Sequence, residues 1–212
     1  MLGLRRASWT TGWTLARAGG PGAQTPIPAV ERYGLKIASA GFLLGEDQAM
    51  GLSAMGIDLL VKQLVRFVTW GALEFLVVDM PPGTADVAHT IMRELKLAGA
   101  IVVVTPQEVA HLDARKAVTM FRHAKVPVLG AVENMSGLVC PRCGERISLF
   151  PPVAEDRAIW RMDVDKLGEI PFVSTLAEAG EIGVPLMISS PDSIPARSFA
   201  AIATGAVARL CG

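Results

Sequence analysis

Short apolar runs of strand length alternate along this chain with amphipathic segments of helix length. The runs "LEFLVVDM" (73–80), "AGAIVVVTP" (98–106) and "VPVLGAVENM" (126–135) are apolar almost throughout. Such strands must be covered on both faces, and parallel strands need helical crossovers to connect them. The alternation therefore predicts an α/β fold built on a doubly wound parallel sheet.

Helices are predicted where apolar residues recur at intervals of three and four positions. The predicted helices cover residues 50–68, 86–97, 108–124 and 199–210. Two further strands are expected over 34–44 and 166–172.

Composition and charge exclude several classes of protein. The 212 residues suit one domain, or one domain with an extension, and about half of them are hydrophobic. Basic and acidic residues number 20 each, so no net field attracts nucleic acid or an anionic membrane. No apolar run approaches the ~20 residues that span a bilayer. Three cysteines are too few for a secreted disulfide framework, which favours a reducing compartment.

The first 30 residues differ from the rest. They contain Arg5, Arg6 and Arg17, several serines and threonines, and no acidic residue. This composition is typical of a mitochondrial transit peptide, and a disordered tail is the alternative. We therefore divide the chain into a leader over 1–30 and an α/β domain over 31–212. The expected location is the mitochondrial matrix, with the cytoplasm as the alternative.

Polar residues at two strand ends are candidates for ligand contacts, because open parallel sheets bind ligands at the carboxyl ends of their strands. Asp79 ends an apolar run, and a carboxylate there can hold a Mg²⁺-bound water. The turn that follows it consists of Met80, Pro81, Pro82, Gly83 and Thr84. Asn134 follows another run and could contact a nucleotide base or support the turn after it.

Two of the three cysteines lie in the segment 137–150, "GLVCPRCGERISLF". Cys140 and Cys143 have the spacing of a knuckle that presents two thiolates to one tetrahedral metal. Such a metal needs four ligands, so this loop supplies half of a set. Three uses compete: an iron–sulfur site shared between two chains, a zinc site shared in the same way, and a dithiol redox pair.

Four segments occur in the order and at the spacing of a known family. They are "YGLKIASAGFLL", "WGALEFLVVDMPPGTADV", "GAIVVVTPQEVAHLDARKAVTMF" and "VPVLGAVENMSGLVCPRCG". Together they resemble the Mrp-like P-loop ATPases that carry iron–sulfur clusters, over roughly residues 33–210. With the basic leader, the chain is most similar to the mitochondrial branch of that family, the NUBPL-type assembly factors for respiratory complex I.

The resemblance implies a homodimer of doubly wound subunits of the SIMIBI type, each binding ATP and Mg²⁺. It implies that Cys140 and Cys143 meet their counterparts in a second copy and hold one bridging [4Fe–4S] cluster. Asp79 would match the catalytic acid of the switch loop, and Asn134 a base contact. The loop near the γ-phosphate would be Pro81, Pro82, Gly83 and Thr84. Apo iron–sulfur proteins, including subunits of complex I, are the implied acceptors.

The sequence departs from the family at the phosphate cradle. A P-loop requires Gly-x-x-x-x-Gly-Lys-Ser/Thr, because the glycine N–H groups and the lysine hold the phosphates. No lysine follows a glycine among Lys36, Lys62, Lys96, Lys116, Lys125 and Lys166. The family has this motif before the region of Tyr33, so we expect a fold that is incomplete at its N-terminus.

The missing cradle leads us to expect no ATP hydrolysis above background. The chain then reads as a truncated or alternatively spliced product of an ATPase, or as a paralogue that keeps cluster or partner binding. The alternative function is a non-enzymatic, zinc-bridged interaction module or an inactive fragment.

Overall fold

The structure, a computed structural model, describes residues 26–43, 53–81, 85–140 and 142–211. These residues form two compact units, a smaller one over 26–96 and a larger one over 97–211. Within the described residues, no helix is both long enough and apolar enough to pass through a lipid bilayer.

The smaller unit begins with four short strands. β1 (Ile27–Pro28) pairs in parallel with β4 (Val68–Thr69), and β2 (Val30–Arg32) pairs antiparallel with β3 (Leu35–Ile37). A 3₁₀ helix, Ala40–Leu43, follows β3. The strand predicted over 34–44 is therefore confirmed only in its first part.

Two helices of the smaller unit are joined by one carboxylate. α1 (Ala54–Arg66) is capped by Ser53, whose side chain accepts a hydrogen bond from the backbone N–H of Gly56 at 3.3 Å. α2 (Ala85–Glu94) lies against α1. The Asp58 carboxylate on α1 accepts a hydrogen bond from Thr90 at 2.8 Å and pairs with Arg93 at 2.5 Å.

The strand predicted over 73–80 is wrong. Residues 71–81 form neither strand nor helix, and no described strand pairs with them. Phe75 and Val77 are 51% and 89% exposed. A β-strand needs a neighbour that satisfies its backbone N–H and C=O groups, and apolar composition alone supplies no such neighbour.

The larger unit contains four strands and four helices. Its strands are β5 (Ala100–Val104), β6 (Val128–Val139), β7 (Arg146–Ile147) and β8 (Lys166–Phe172). Its helices are α3 (Glu108–His123), α4 (Ser174–Ile182), α5 (Leu186–Ser189) and α6 (Ile194–Cys211), with a 3₁₀ turn at Ile159–Met162. The predictions for β5, α3 and β8 are confirmed to within two residues at each end.

β6 is the central strand of the larger unit. It pairs in parallel with β5 and with β8, and its far end pairs antiparallel with β7. Val118, Ala131 and Ile159 are fully buried around the β5–β6 pair. The predicted α/β class is confirmed, and the sheet is mixed because β7 runs against β6.

We predict that Asp58→Asn loosens the smaller unit near neutral pH. Lys62, Thr90 and Arg93 hydrogen-bond to Asp58 and lower its pKa from 3.8 to about 2. A depressed pKa means that the charge stabilises the fold above the unfolded pKa, and that this effect is lost as the pH falls towards 2. Amide exchange of α1 should accelerate in the variant at pH 7, and the difference from wild type should shrink towards pH 3.

Asp113→Asn is the matched control for Asp58→Asn, because Asp113 pairs with Lys116 at 2.9 Å on an exposed helix face. Exposed i,i+3 pairs contribute little to stability. If amide exchange of α1 accelerated equally in Asp58→Asn and in Asp113→Asn, the role that we assign to Asp58 would be contradicted.

We predict that Gly168→Ala destabilises the larger unit by about 1–3 kcal/mol through overpacking. A Cβ at this position of β8 would lie 2.6 Å from Cγ1 of Ile202, which is buried on α6. Urea unfolding followed by circular dichroism measures the change. Gly205→Ala on α6 is the control, since its Cβ would meet Leu167 at an ordinary 3.8 Å; its unfolding midpoint should not fall.

Candidate metal-binding site

The two closely spaced cysteines lie at the tip of a β-hairpin, residues 138–147, which we call the cysteine hairpin. β6 supplies its first strand and β7 its second, with Leu138 opposite Ile147 and Val139 opposite Arg146. The backbone N–H of Cys140 donates to the carbonyl of Glu145 at 2.8 Å, and the N–H of Gly144 donates back to the carbonyl of Cys140 at 2.9 Å. These bonds close a tight loop that contains both thiols.

The loop stabilises the thiolate of Cys140. The backbone N–H of Cys143, then that of Arg142 and the Cys143 side chain, hydrogen-bond to the sulfur and lower the pKa of the Cys140 thiol. Cys140 is half-buried, Cys143 is exposed, and neither forms a disulfide. Because the thiolate is the form that binds metal, the loop prepares one ligand and leaves the other accessible.

The chemistry of these donors fits a soft metal or an iron–sulfur cluster. Thiolates select zinc, copper(I) and iron–sulfur clusters over hard cations. No group of three or more metal-ligating side chains occurs among the described residues. A dithiol redox pair normally lies at a helix N-terminus; here both cysteines lie on a hairpin.

Arg146, which the sequence analysis did not identify, fastens the hairpin to the sheet. Its Nη2 donates to the carbonyl and the Oγ of Ser136, at 3.2 and 3.0 Å, and to Oε2 of Glu169 on β8, at 2.6 Å. Glu169 also pairs with Lys166, which reaches Glu133 on β6 at 3.1 Å. Arg146 and Glu169 are 23 positions apart, so only the strand register reveals that they meet.

The ion pairs around Glu169 shift two pKa values. Hydrogen bonds from Arg146, and then from Lys166, lower the pKa of Glu169. Burial acts to lower the pKa of Lys166, but its bonds to Glu169 and Glu133 outweigh burial and raise the pKa above its usual value. Glu169 and Lys166 are therefore both charged at neutral pH.

Two of the predicted switch-loop residues, Asp79 and Pro81, lie in the described part of the smaller unit. Asp79 and Pro81 are exposed and belong to the irregular segment 71–81. Pro82, Gly83 and Thr84 lie outside the described residues. The roles assigned to all five stay predictions.

Asn134 lies in the larger unit, half-buried on β6. Its Oδ1 accepts a hydrogen bond from the backbone N–H of Met135 at 3.0 Å, and Met135 has a positive φ of 56°. The amide therefore supports a local bend of β6, and its role as a base contact stays a prediction.

We predict that Gly144→Ala weakens metal binding by the hairpin. Gly144 has a φ of +76°, and a side chain in this left-handed conformation costs about 1–2 kcal/mol. That cost corresponds to roughly a five- to thirtyfold weaker affinity if metal binding requires the closed loop. Titration with Co²⁺, followed by its thiolate charge-transfer absorption, measures the affinity.

Gly180→Ala is the control for Gly144→Ala, because a Cβ at Gly180 on α4 meets no atom within 4 Å and needs no unusual φ. It should bind Co²⁺ as the wild type does. An unchanged affinity in Gly144→Ala would show that the closed loop is not needed for metal binding.

Comparison with known proteins identifies a family. The model of the ParA family described as "NUBPL iron-transfer P-loop NTPase" matches residues 15–207. The chain is 38% identical over 178 residues to the mouse "Iron-sulfur cluster transfer protein NUBPL", covering 84% of this chain and 56% of that protein. It is 39% identical, over 84% of this chain and 57% of the relative, to the Arabidopsis thaliana "Iron-sulfur protein required for NADH dehydrogenase, mitochondrial".

Solved structures agree on the fold. A nucleotide-binding protein from Archaeoglobus fulgidus, in complex with ADP, matches with a TM-score of 0.63 and 34% identity, covering 79% of this chain and 65% of that one. The septum site-determining protein MinD from Pyrococcus horikoshii matches with a TM-score of 0.54 and 24% identity, covering 76% of this chain and 58% of that one. The predicted P-loop NTPase fold is confirmed. The chain spans little more than half the length of the curated relatives it matches.

Proposed function

The chain belongs to the NUBPL iron-transfer P-loop NTPase family, and on this premise we propose that it carries an iron–sulfur cluster on Cys140 and Cys143. The observation that carries the proposal is the cysteine hairpin, with its two free thiols and the N–H bonds that favour the Cys140 thiolate. Relatives at 38–39% identity are named for iron–sulfur transfer or as iron–sulfur proteins. The cluster is the cargo, and the hairpin holds it until an acceptor takes it.

The cargo in this proposal is a [4Fe–4S] cluster shared by two copies of the chain. Such a cluster is held by four cysteine thiolates, and one hairpin supplies two. The second pair is Cys140 and Cys143 of another copy, so that the homodimer completes the site. Exposure of Cys143 supports this arrangement, because a thiol that must meet a partner chain cannot be enclosed by its own.

The acceptors in the proposal are apo iron–sulfur proteins, and subunits of respiratory complex I in particular. The name of the Arabidopsis relative, which links it to NADH dehydrogenase and to mitochondria, supports both this choice and the mitochondrial matrix. The acid-poor leader predicted over 1–30 serves as the targeting signal in this proposal, and its residues 27–28 and 30 also pair in β1 and β2 of the smaller unit.

Nucleotide contacts are a separate part of the proposal. Asp79 and the turn over 81–84 are the proposed contacts of Mg-ATP, and the Archaeoglobus relative in complex with ADP supports nucleotide binding. Hydrolysis is not proposed. No lysine of the chain follows a glycine, so the P-loop lysine that neutralises the phosphates has no counterpart.

We predict that Cys140→Ala abolishes cluster uptake. After anaerobic reconstitution, the wild type should hold about two iron atoms per chain, as one [4Fe–4S] per dimer requires. The variant should retain only background iron, because a hairpin with one thiol leaves a dimeric site with two ligands. Iron and sulfide analysis, the visible absorption of the cluster and the dimer fraction on size exclusion measure the outcome.

Cys211→Ala is the control for Cys140→Ala, since Cys211 is an exposed thiol near the C-terminus, outside the hairpin. It should load as the wild type does. Equal loading of the Cys140 variant would falsify the proposal. Zinc bound at one ion per dimer, with no iron under anaerobic conditions, would instead support the zinc-bridged interaction module.

A further inference from the structure

We propose that Arg146 and Glu169 are positioning residues that fix the direction in which the cysteine hairpin leaves the sheet. Their ion pair connects the second strand of the hairpin to β8. The inference rests on the proposed function for its purpose, since the hairpin must present its two sulfurs to a second copy. The contacts themselves are independent of that function.

The backbone holds the outer part of the hairpin weakly. Leu138, at its base, pairs with Phe172 of β8, and beyond that contact the hairpin depends on two residue pairs between β6 and β7. A two-stranded ribbon without further packing is marginally stable in water. The register between β6 and β8 also shifts between Asn134 and Leu138, and Met135 has a positive φ of 56°. β6 therefore bends between Asn134 and Leu138, where bulges redirect strands, and Leu138 then pairs once more with β8, at Phe172.

Arg146 spans this bend. Its side chain starts on β7, passes over Gly137, and ends at Ser136 and at Glu169 on β8. A Cβ at Gly137 would lie 3.0 Å from Nε and 3.2 Å from Cγ of Arg146, so the absent side chain leaves room for the arginine to cross. One guanidinium nitrogen thus connects the hairpin, the bend and the neighbouring strand.

Glu169 is itself held in place from the sheet. It lies on β8 in register with Glu133 of β6, and Lys166 bonds to both carboxylates. Ile170, the next residue on β8, is buried in the core with Val132. Glu169 is therefore held by the strand pairing of its backbone, and its second carboxylate oxygen is held by Lys166.

The ion pair of Arg146 with Glu169 adds little to the free energy of unfolding, and its main effect is on the position of the cysteine hairpin. Side chains of Arg146 and Glu169 are 55% and 36% exposed, and exposed ion pairs contribute little to global stability. Metal ligands, in contrast, must reach their distances to within about 0.2 Å. A contact that leaves the fold unchanged can therefore still decide whether four thiolates converge on one site.

The test separates the direction of the hairpin from the stability of the fold. In Arg146→Met, the backbone N–H groups of Cys140 and Gly144 should exchange about fivefold faster in the apo protein. This factor corresponds to about 1 kcal/mol, the upper end of the energies of exposed ion pairs. The exchange rate of the Ala131 N–H, which donates to the backbone carbonyl of Asp165, should not change. Co²⁺ affinity should fall by a similar factor, and the thermal midpoint should stay within error.

Two further variants test the pair itself. Glu169→Gln should change amide exchange and Co²⁺ affinity in the same direction but by less, because Arg146 keeps its hydrogen bonds to Ser136. The double variant Arg146→Met/Glu169→Gln should be no worse than Arg146→Met alone, since both changes remove one interaction. Arg146→Lys should recover part of the loss by restoring one charged bond to Glu169.

Arg157→Met is the matched control, because Arg157 is 53% exposed, belongs to the same unit and pairs with Glu108 on α3, not with a residue of the hairpin or of β8. It should match the wild type in exchange and in Co²⁺ binding. Unchanged exchange and Co²⁺ affinity in Arg146→Met would overturn the inference, as would strictly additive losses in the double variant.

A wild type that took up neither cluster nor Co²⁺ would refute the proposed function without deciding this inference. The exchange data would then decide it alone. Faster exchange at Cys140 and Gly144 in Arg146→Met would support the positioning role, and equal exchange would refute it.

Discussion

The hydrogen-bond ladder of β6 is the interaction on which the larger unit depends. β6 pairs with β5 along one edge and with β8 along the other, and its residues Ala131 and Val132 are buried in the core. The same strand continues to Val139 and becomes the first strand of the cysteine hairpin. One strand therefore runs from the core to the hairpin that carries the two thiols, and packing around β6 also determines where the hairpin begins.

Charged side chains extend this connection over the surface of the sheet. Lys166 bonds to Glu133 and Glu169, and its Nζ lies 5.3 Å from the centre of the Trp160 ring. Trp160 in turn meets His111 edge to face, and burial lowers the pKa of that histidine. His111 is neutral at neutral pH, and its Nδ1 accepts the backbone N–H of Ile159 at 3.1 Å. A polar network thus leads from a buried turn of the core to the arginine of the hairpin.

The sequence predicted the elements that depend on local residue patterns. The apolar runs of β5 and β8, the amphipathic α3 and the spacing of Cys140 and Cys143 were all readable. The hairpin was not, because the end of β6 depends on pairing with β7 at Leu138 and Val139 and with β8 at Leu138. The ion pair of Arg146 with Glu169 was equally hidden, since it depends on the register between strands. The run 73–80 reads as a strand, yet strand formation depends on a neighbour that composition does not specify.

The exposed run 73–80 has a consequence for the behaviour of the protein in concentrated solution. The apolar residues 75–78 are exposed and belong to no strand or helix, and such a run can pair with a strand of another molecule, which is one way that aggregates begin. Glu74 and Asp79 flank residues 75–78, and a stack of identical chains would bring these carboxylates together. Repulsion between such carboxylates opposes stacking, and salt weakens that repulsion by screening.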